Sequence, residues 1–137
     1  MTDQDQPIHV FAVGHCGPDS WMLRSTAERA LGSAIRFESF DEESRMRERL
    51  DSTSDPVLLL VNRKLDGYFD ASDGIALIEA SLAAGRGRLA AMLISNLSDA
   101  LAQAEAVGAM PGFGKTALHA TETATALQAA AERLRDS

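Results

Sequence analysis

Short apolar runs alternate with amphipathic stretches along this sequence, and the alternation constrains the fold more than any other feature. An apolar run of about four to eight residues is typical of a buried strand, whereas apolar residues spaced by three and four are typical of a helix. The pattern predicts strands at residues 8–13, 34–40, 56–61, 89–94 and 110–113. It predicts helices from Asp19 or Ser20 to Leu31 and then at 41–50, 73–84, 96–107 and 121–134.

The resulting order, with strand and helix in turn, predicts a parallel sheet with helices on both faces. Five strands at this spacing fit a flavodoxin-like doubly wound α/β fold, a three-layer α/β/α arrangement with strand order 2-1-3-4-5. In that fold, ligands bind outside the carboxyl ends of the first and third strands. Residues 14–16 (GHC) and 62–64 (NRK) follow those two strands here. We therefore expect the functional residues of the chain among them.

Length, charge and cysteine content narrow the class of protein. The 137 residues suit one domain, which we place at residues 8–135 after a flexible N-terminus at 1–7. The net charge of -7 argues against nucleic acid or an anionic membrane as partner, because both attract basic surfaces. The single cysteine, Cys16, excludes an internal disulfide and fits a reducing compartment. Without a signal-peptide pattern or an apolar window near ~20 residues, we expect a cytoplasmic protein.

Four short motifs along the chain resemble those of one known domain family. Residues 57–67 (VLLLVNRKLDG) resemble the family's third strand and its loop, and residues 73–75 (DGI) the start of the third helix. Residues 93–95 (LIS) resemble a fourth strand that ends in a hydroxyl residue, and residues 106–115 (AVGAMPGFGK) the approach to the fifth strand and its lysine. The family is that of bacterial response-regulator receiver domains, and the resemblance covers about the whole chain in element order. It implies a signalling domain of two-component systems.

The charged positions of the family pattern are changed in this sequence. The resemblance implies acidic residues at the end of the first strand, where they hold magnesium, and an aspartate phosphoacceptor at the end of the third. Here Gly14 and His15 stand at the first of these places and Asn62 at the second. The asparagine amide is neither a nucleophile for a phosphoryl donor nor a charged ligand for a hard cation. We therefore expect a pseudo-receiver without metal, cofactor or phosphorylation, with Asp66 as the nearest alternative acceptor. The degenerate pocket predicted here consists of Gly14, His15, Cys16, Asn62, Ser95 and Lys115.

Two classes of function follow from this pocket. In the first, the domain is a signalling or protein-interaction module without enzymatic activity, which binds a protein partner or a small anion near Lys115, Ser95 and Asn62. Its small-residue fourth and fifth helices also permit a homodimer. In the second, the chain is a small enzyme in which Cys16 is a nucleophile or redox thiol, activated by His15 or Lys115. Flavin or cobalamin binding is a weaker third hypothesis, because no phosphate loop or histidine motif supports it.

Individual residues outside the pocket carry further expectations. We expect Trp21 to pack in the core, Tyr68 with Phe69 to anchor the third loop on the core, and Asp73 to cap a helix. The sequence AMPGFGKT at 109–116 has a phosphate-loop spacing without the strand before it that such a loop needs. We interpret it as a turn in which the glycines at 112 and 114 adopt unusual backbone angles.

Overall fold

The computed structural model describes residues 7–32 and 34–136. The five strands are β1 (His9–Val13), β2 (Arg36–Phe40), β3 (Val57–Asn62), β4 (Leu89–Ile94) and β5 (Met110–Phe113). The five α-helices are α1 (Gly17–Leu31), α2 (Glu43–Asp51), α3 (Gly74–Ala83), α4 (Ser98–Ala106) and α5 (Thr121–Asp136). A short 3₁₀ turn, Lys115–Ala117, precedes α5. The predicted alternation is confirmed: β4 and β5 match the predicted bounds, and the ends of the other elements are displaced by at most three residues.

All five strands are parallel and lie in the order β2-β1-β3-β4-β5, so the predicted topology is confirmed. The central strand β3 aligns Leu59 with Phe11 of β1 and with Ala91 of β4. Because every strand runs the same way, the loops that follow the strands meet at one edge, which we call the carboxyl edge. The first and third strands are neighbours there, so their following residues come together.

The sheet separates two apolar cores. Side chains alternate across a strand, so Leu58 and Leu60 pack under α1 and α5, whereas Leu59 and Val61 pack under α2, α3 and α4. All four are fully buried, and each contributes on the order of 1.5–3 kcal/mol by leaving water. This two-sided burial explains why β3 is an unbroken apolar run in the sequence. On α5, the residues Leu127, Ala131 and Leu134 lie at helical spacing on one face and are buried as well.

The start of α1 and the position of Trp21 differ from the sequence-based expectation. The helix begins at Gly17 rather than after Asp19 or Ser20, and Cys16 occupies the N-cap position. Pro18 explains the earlier start, because proline fits the first helical turn, where backbone N–H groups lack helical partners. Trp21 is 70% exposed and does not pack in the core. Its neighbour Leu23 is buried and takes that place.

The third loop and the glycines near β5 also correct the sequence-based interpretation. Tyr68 is 80% exposed, and only Phe69 packs against the core, because consecutive residues of an extended segment face opposite ways. Gly112 and Gly114 have no positive φ. They are needed for close approach instead: a Cβ would collide with the Leu93 carbonyl oxygen at Gly112 and with the Asn96 side chain at Gly114.

The predicted flexible segment at residues 1–7 lies outside the described residues except for Pro7. Its flexibility and the domain boundaries therefore stay predictions. Across the described ranges, no helix is both long and apolar enough to span a membrane.

Candidate functional site

Gly14 is the turn that brings the first and third strands' loops together. Its φ of 76° lies in the left-handed region that favours glycine. Its N–H donates to the Phe40 carbonyl at 2.9 Å, which extends the β1–β2 pairing by one residue. Its carbonyl accepts from the Asp66 N–H at 2.9 Å and from the Asn62 side chain at 3.0 Å. The backbone at position 14 therefore holds both loops at the carboxyl edge.

Asn62, the last residue of β3, uses both ends of its amide within the fold. Its Nδ2 donates to the carbonyl oxygens of Gly14 at 3.0 Å and Lys64 at 2.7 Å. Its Oδ1 accepts a longer hydrogen bond, 3.4 Å, from the Lys115 Nζ. An aspartate at this position has no N–H to give to the two carbonyls. Asparagine is therefore a structural link between three loops at this position.

Lys115 forms its short contact with Asp19, a carboxylate that the sequence indicated only as a possible start of the first helix. Its Nζ lies 2.7 Å from the Asp19 Oδ2, and both side chains are about two-thirds buried. The hydrogen bond from Lys115 holds the pKa of the Asp19 carboxyl below its usual range. Lys115 thus lies at the carboxyl edge with a partner, Asp19, that the sequence did not indicate. The available signal was an acidic residue in the first turn of the helix that follows β1.

His15 faces the interior rather than the solvent. The residue is 6% exposed, and its Nε2–H donates to the Leu60 carbonyl at 2.9 Å. Burial lowers the pKa of the imidazole to about 4, the bond to Leu60 opposes that shift, and the charge of Lys115 adds to it. The ring is therefore neutral at pH 7 and carries its proton on Nε2.

Cys16 is exposed at the N-cap of α1, and the two side chains expected to activate it have other partners. A cationic group beside a thiol favours the thiolate. His15 is neutral and bound to β3, and Lys115 is paired with Asp19. The thiol also contacts Asp19, since a hydrogen bond with Cys16 contributes to lowering the pKa of that carboxyl. Neither His15 nor Lys115 therefore supports the alternative of a thiol enzyme, which stays a prediction.

Ser95 lies in the wall of a cleft on the other side of Lys115. It is 9% exposed, and its Oγ accepts from the Leu97 N–H at 3.1 Å, so the hydroxyl helps to start α4. The Asn96 Oδ1 accepts from the N–H and the hydroxyl of Thr116, which joins the loops after β4 and β5. The cleft has a volume of about 450 Å³ and is lined by Asn62, Arg63, Lys64, Ile94, Ser95, Asn96, Leu97 and Lys115.

The donors at this edge do not match a magnesium site. Magnesium prefers carboxylate oxygens in octahedral geometry, and the Asp19 carboxylate is already paired with the ammonium of Lys115. The end of β1 contributes only a backbone turn and a buried imidazole. Elsewhere in residues 7–32 and 34–136, no three side chains of His, Cys, Asp or Glu lie close enough together to hold a metal ion.

Comparison with known proteins identifies the fold. Neither the protein-family models nor the curated proteins compared with the sequence give a match. A receiver domain of a DNA-binding response regulator from Colwellia psychrerythraea has a TM-score of 0.65 at 15% identity, covering 92% of this chain and 98% of its own. The isolated receiver domain of RcsB from Salmonella enterica has a TM-score of 0.66 at 17% identity, covering 94% and 98%.

A third similar structure is the receiver domain of a modulated diguanylate cyclase from Desulfovibrio desulfuricans. Its TM-score is 0.62 at 22% identity, and the alignment covers 96% of this chain and 95% of that one. The agreement spans almost the full length of these three domains. The chain therefore has the fold of a response-regulator receiver domain, as its motifs predicted.

Proposed function

We propose that this chain is a receiver-like signalling module that acts by binding another protein and accepts no phosphoryl group at its third strand. One observation carries the proposal: the side chain at the end of β3 is the neutral amide of Asn62, and both of its ends are hydrogen-bonded within the fold. Accepting a phosphoryl group at this position would need a free, charged oxygen as nucleophile. The site residues at positions 14–16, 62, 95 and 115 form a fixed structural centre in this proposal.

The ion pair of Lys115 with Asp19 supports the same conclusion. In receivers, the corresponding lysine contacts the phosphoryl group, as the family resemblance implies. Here an internal carboxylate at 2.7 Å supplies the negative charge, so the lysine needs no added anion. We infer that this pair favours the arrangement in which the loop after β5 lies against α1. A partner would then recognise a permanent surface, or select between loop arrangements by its own preference for one of them.

A phosphodonor experiment tests the proposal. The protein is incubated with acetyl phosphate and magnesium, and its intact mass is measured beside a receiver domain with a complete acidic pocket as positive control. We expect the control to gain the mass of one phosphoryl group and this chain to gain none. A stable adduct that peptide mapping places on an aspartate, Asp66 included, would overturn the proposal.

Beryllofluoride gives a second readout that involves no covalent bond to phosphorus. The Salmonella RcsB domain was solved in the presence of this phosphomimetic. We expect the amide NMR spectrum of the present chain to be unchanged by beryllofluoride with magnesium. Shifts confined to the amides around Asn62 and Lys115 would show that the pocket still recognises a phosphoryl-like group.

The remaining expectations on partners and location stay predictions. A homodimer through α4 and α5 is checked by the mass of the particle in solution. The expected lack of nucleic-acid binding is checked by a gel-shift measurement at low salt, where electrostatic binding is strongest.

A further inference from the structure

Tyr68 is the most exposed of the large hydrophobic side chains in the described part of the chain. It is 80% exposed, although the loop that carries it is tied to the corner between β2 and α2. The Tyr68 N–H donates to the Asp41 carbonyl at 2.7 Å, and the Tyr68 carbonyl accepts from the Glu43 N–H at 2.9 Å. These bonds form a parallel bridge between Glu42 and Tyr68 beyond the end of β2. The ring is therefore presented from a fixed backbone.

Two side chains strengthen this attachment. Phe69 packs on the core beneath α2 to α4, which turns its neighbour Tyr68 outward. The Glu43 carboxylate is 7% exposed, accepts from the Ala71 N–H at 3.2 Å, and is itself held by Arg47 at 3.1 Å. A rigid aromatic side chain loses little conformational entropy when it binds, which makes such residues frequent anchors of interfaces.

The charges around the ring decide what it can bind. The segment places Asp66 and Asp70 two residues before and after Tyr68, and the bridge places Asp41 and Glu42 beside it. None of these four carboxylates is in a salt bridge within the described residues. Arg45 lies in the same groove as Asp41 without forming an ion pair with it. We name Tyr68 with its four carboxylates the Tyr68 surface.

We propose that the Tyr68 surface docks a basic peptide segment of a protein partner, with an arginine stacked on the ring and further cations on the four carboxylates. A guanidinium group can stack on an aromatic face and pair with a carboxylate at the same time. Arginine therefore fits both the Tyr68 ring and the carboxylates around it. The proposal deepens the proposed function, since it rests on the module acting by protein contact. The phosphodonor experiment measures covalent phosphorylation and the peptide titration measures binding, so either result can fail without the other.

Binding of a defined probe tests the proposal. A short fluorescein-labelled peptide of alternating arginine and serine is titrated with the full chain, and fluorescence anisotropy is measured at low and high salt. We expect Tyr68→Ser to weaken binding about five-fold, the loss of roughly 1 kcal/mol that one exposed cation–π contact supplies. We expect the double variant Asp66→Asn with Asp70→Asn to weaken it at least as much at low salt, and less as salt screens the charges.

Matched controls separate this surface from the overall negative charge. Trp21→Ser removes an aromatic of similar exposure on α1, where Arg24 and Glu28 pair with each other. Glu105→Gln with Glu122→Gln removes the same total charge from exposed positions elsewhere. We expect both controls to bind like the unmodified chain. Amide shifts should fall on residues 41–43 and 66–71.

Three outcomes would overturn the proposal. These are no binding by the unmodified chain, equal weakening in the two charge doubles, or an unchanged affinity of Tyr68→Ser. The Tyr68 side chain is exposed, and its loop is held by backbone bonds, so circular dichroism should show that the variant is folded.

Discussion

The two ends of the sheet are both tied together by polar side chains, but with different consequences. At the amino end, the Arg86 guanidinium donates to the carbonyl oxygens of Leu50, Thr53 and Asp55 at 3.2, 2.7 and 2.8 Å. Those bonds join the loop before β4 to the loop before β3 and leave the cation little capacity for another molecule. At the carboxyl end, polar side chains also join neighbouring loops by hydrogen bonds. The cleft lined by Arg63, Lys64 and Lys115 nevertheless remains open to solvent there.

The distribution of exposed hydrophobic side chains follows the same division. In the described ranges, the large ones are Trp21 and Met22 in the early turns of α1, Tyr68 after β3, and Leu97 before α4. All four belong to segments that follow the carboxyl ends of strands. At the amino end, the charge of Arg86 is thus spent on hydrogen bonds to backbone carbonyls. At the carboxyl end, exposed hydrophobic side chains remain accessible to a partner. We therefore expect the largest loss of fold stability from a substitution at the amino end.

The largest effect is expected at the amino end. Arg86→Ala removes charged hydrogen bonds from three distant carbonyls, and each such bond is worth about 1.5–3 kcal/mol. Because water can replace part of this network, we expect a loss of about 3 kcal/mol in the free energy of unfolding, measured by urea denaturation. Arg86→Lys keeps the charge but lacks the planar set of guanidinium N–H donors, so it should recover only a minor part of the lost free energy of unfolding. A loss below about 1 kcal/mol would contradict the structural role assigned to Arg86.

The sequence predicted the scaffold well because its signals are local and repeated. The apolar run of β3 is buried on both faces, and Asp73 caps α3 by accepting from the Ala76 N–H at 2.9 Å. The pairing of Lys115 with Asp19 was missed because the two lie 96 positions apart, and only the parallel sheet brings them together. Periodicity could not place Trp21 either, since one residue of rotation along a helix moves a side chain from core to solvent.

Acidification is expected to act on the carboxyl end through His15. Its pKa in the folded chain is about 4, against 6.5 in the unfolded chain, so between these values the unfolded state binds more protons. The contribution of the neutral His15 ring to the free energy of unfolding is therefore fully present above pH 6.5. As the pH falls from 6.5 toward 4, this contribution is lost, by up to about 3 kcal/mol. His15→Gln keeps an N–H donor for Leu60 without titrating, so the difference between the two pH profiles isolates the imidazole. An NMR titration that gives His15 a pKa near 6.5 would refute this assignment.

The smallest effect should come from the ion pair itself. Lys115 and Asp19 are 27% and 31% exposed, so solvent screens their attraction, and we expect a coupling energy of about 1 kcal/mol or less. A double-mutant cycle with Lys115→Ala and Asp19→Asn measures it in urea, and Arg24→Ala with Glu28→Gln provides an exposed pair as control. The coupling should decrease slightly as salt is added.

The size of that coupling decides between two views of the carboxyl end. A coupling energy near the loss of about 3 kcal/mol expected for Arg86→Ala would mean that both ends of the sheet are held equally firmly. A partner would then bind the carboxyl end as a rigid surface. A value of about 1 kcal/mol lets the loop after β5 leave α1 in a minor population. In that case a partner that offers its own carboxylate to Lys115 would compete with Asp19 on nearly equal terms, and the loop would respond to binding without any phosphoryl group.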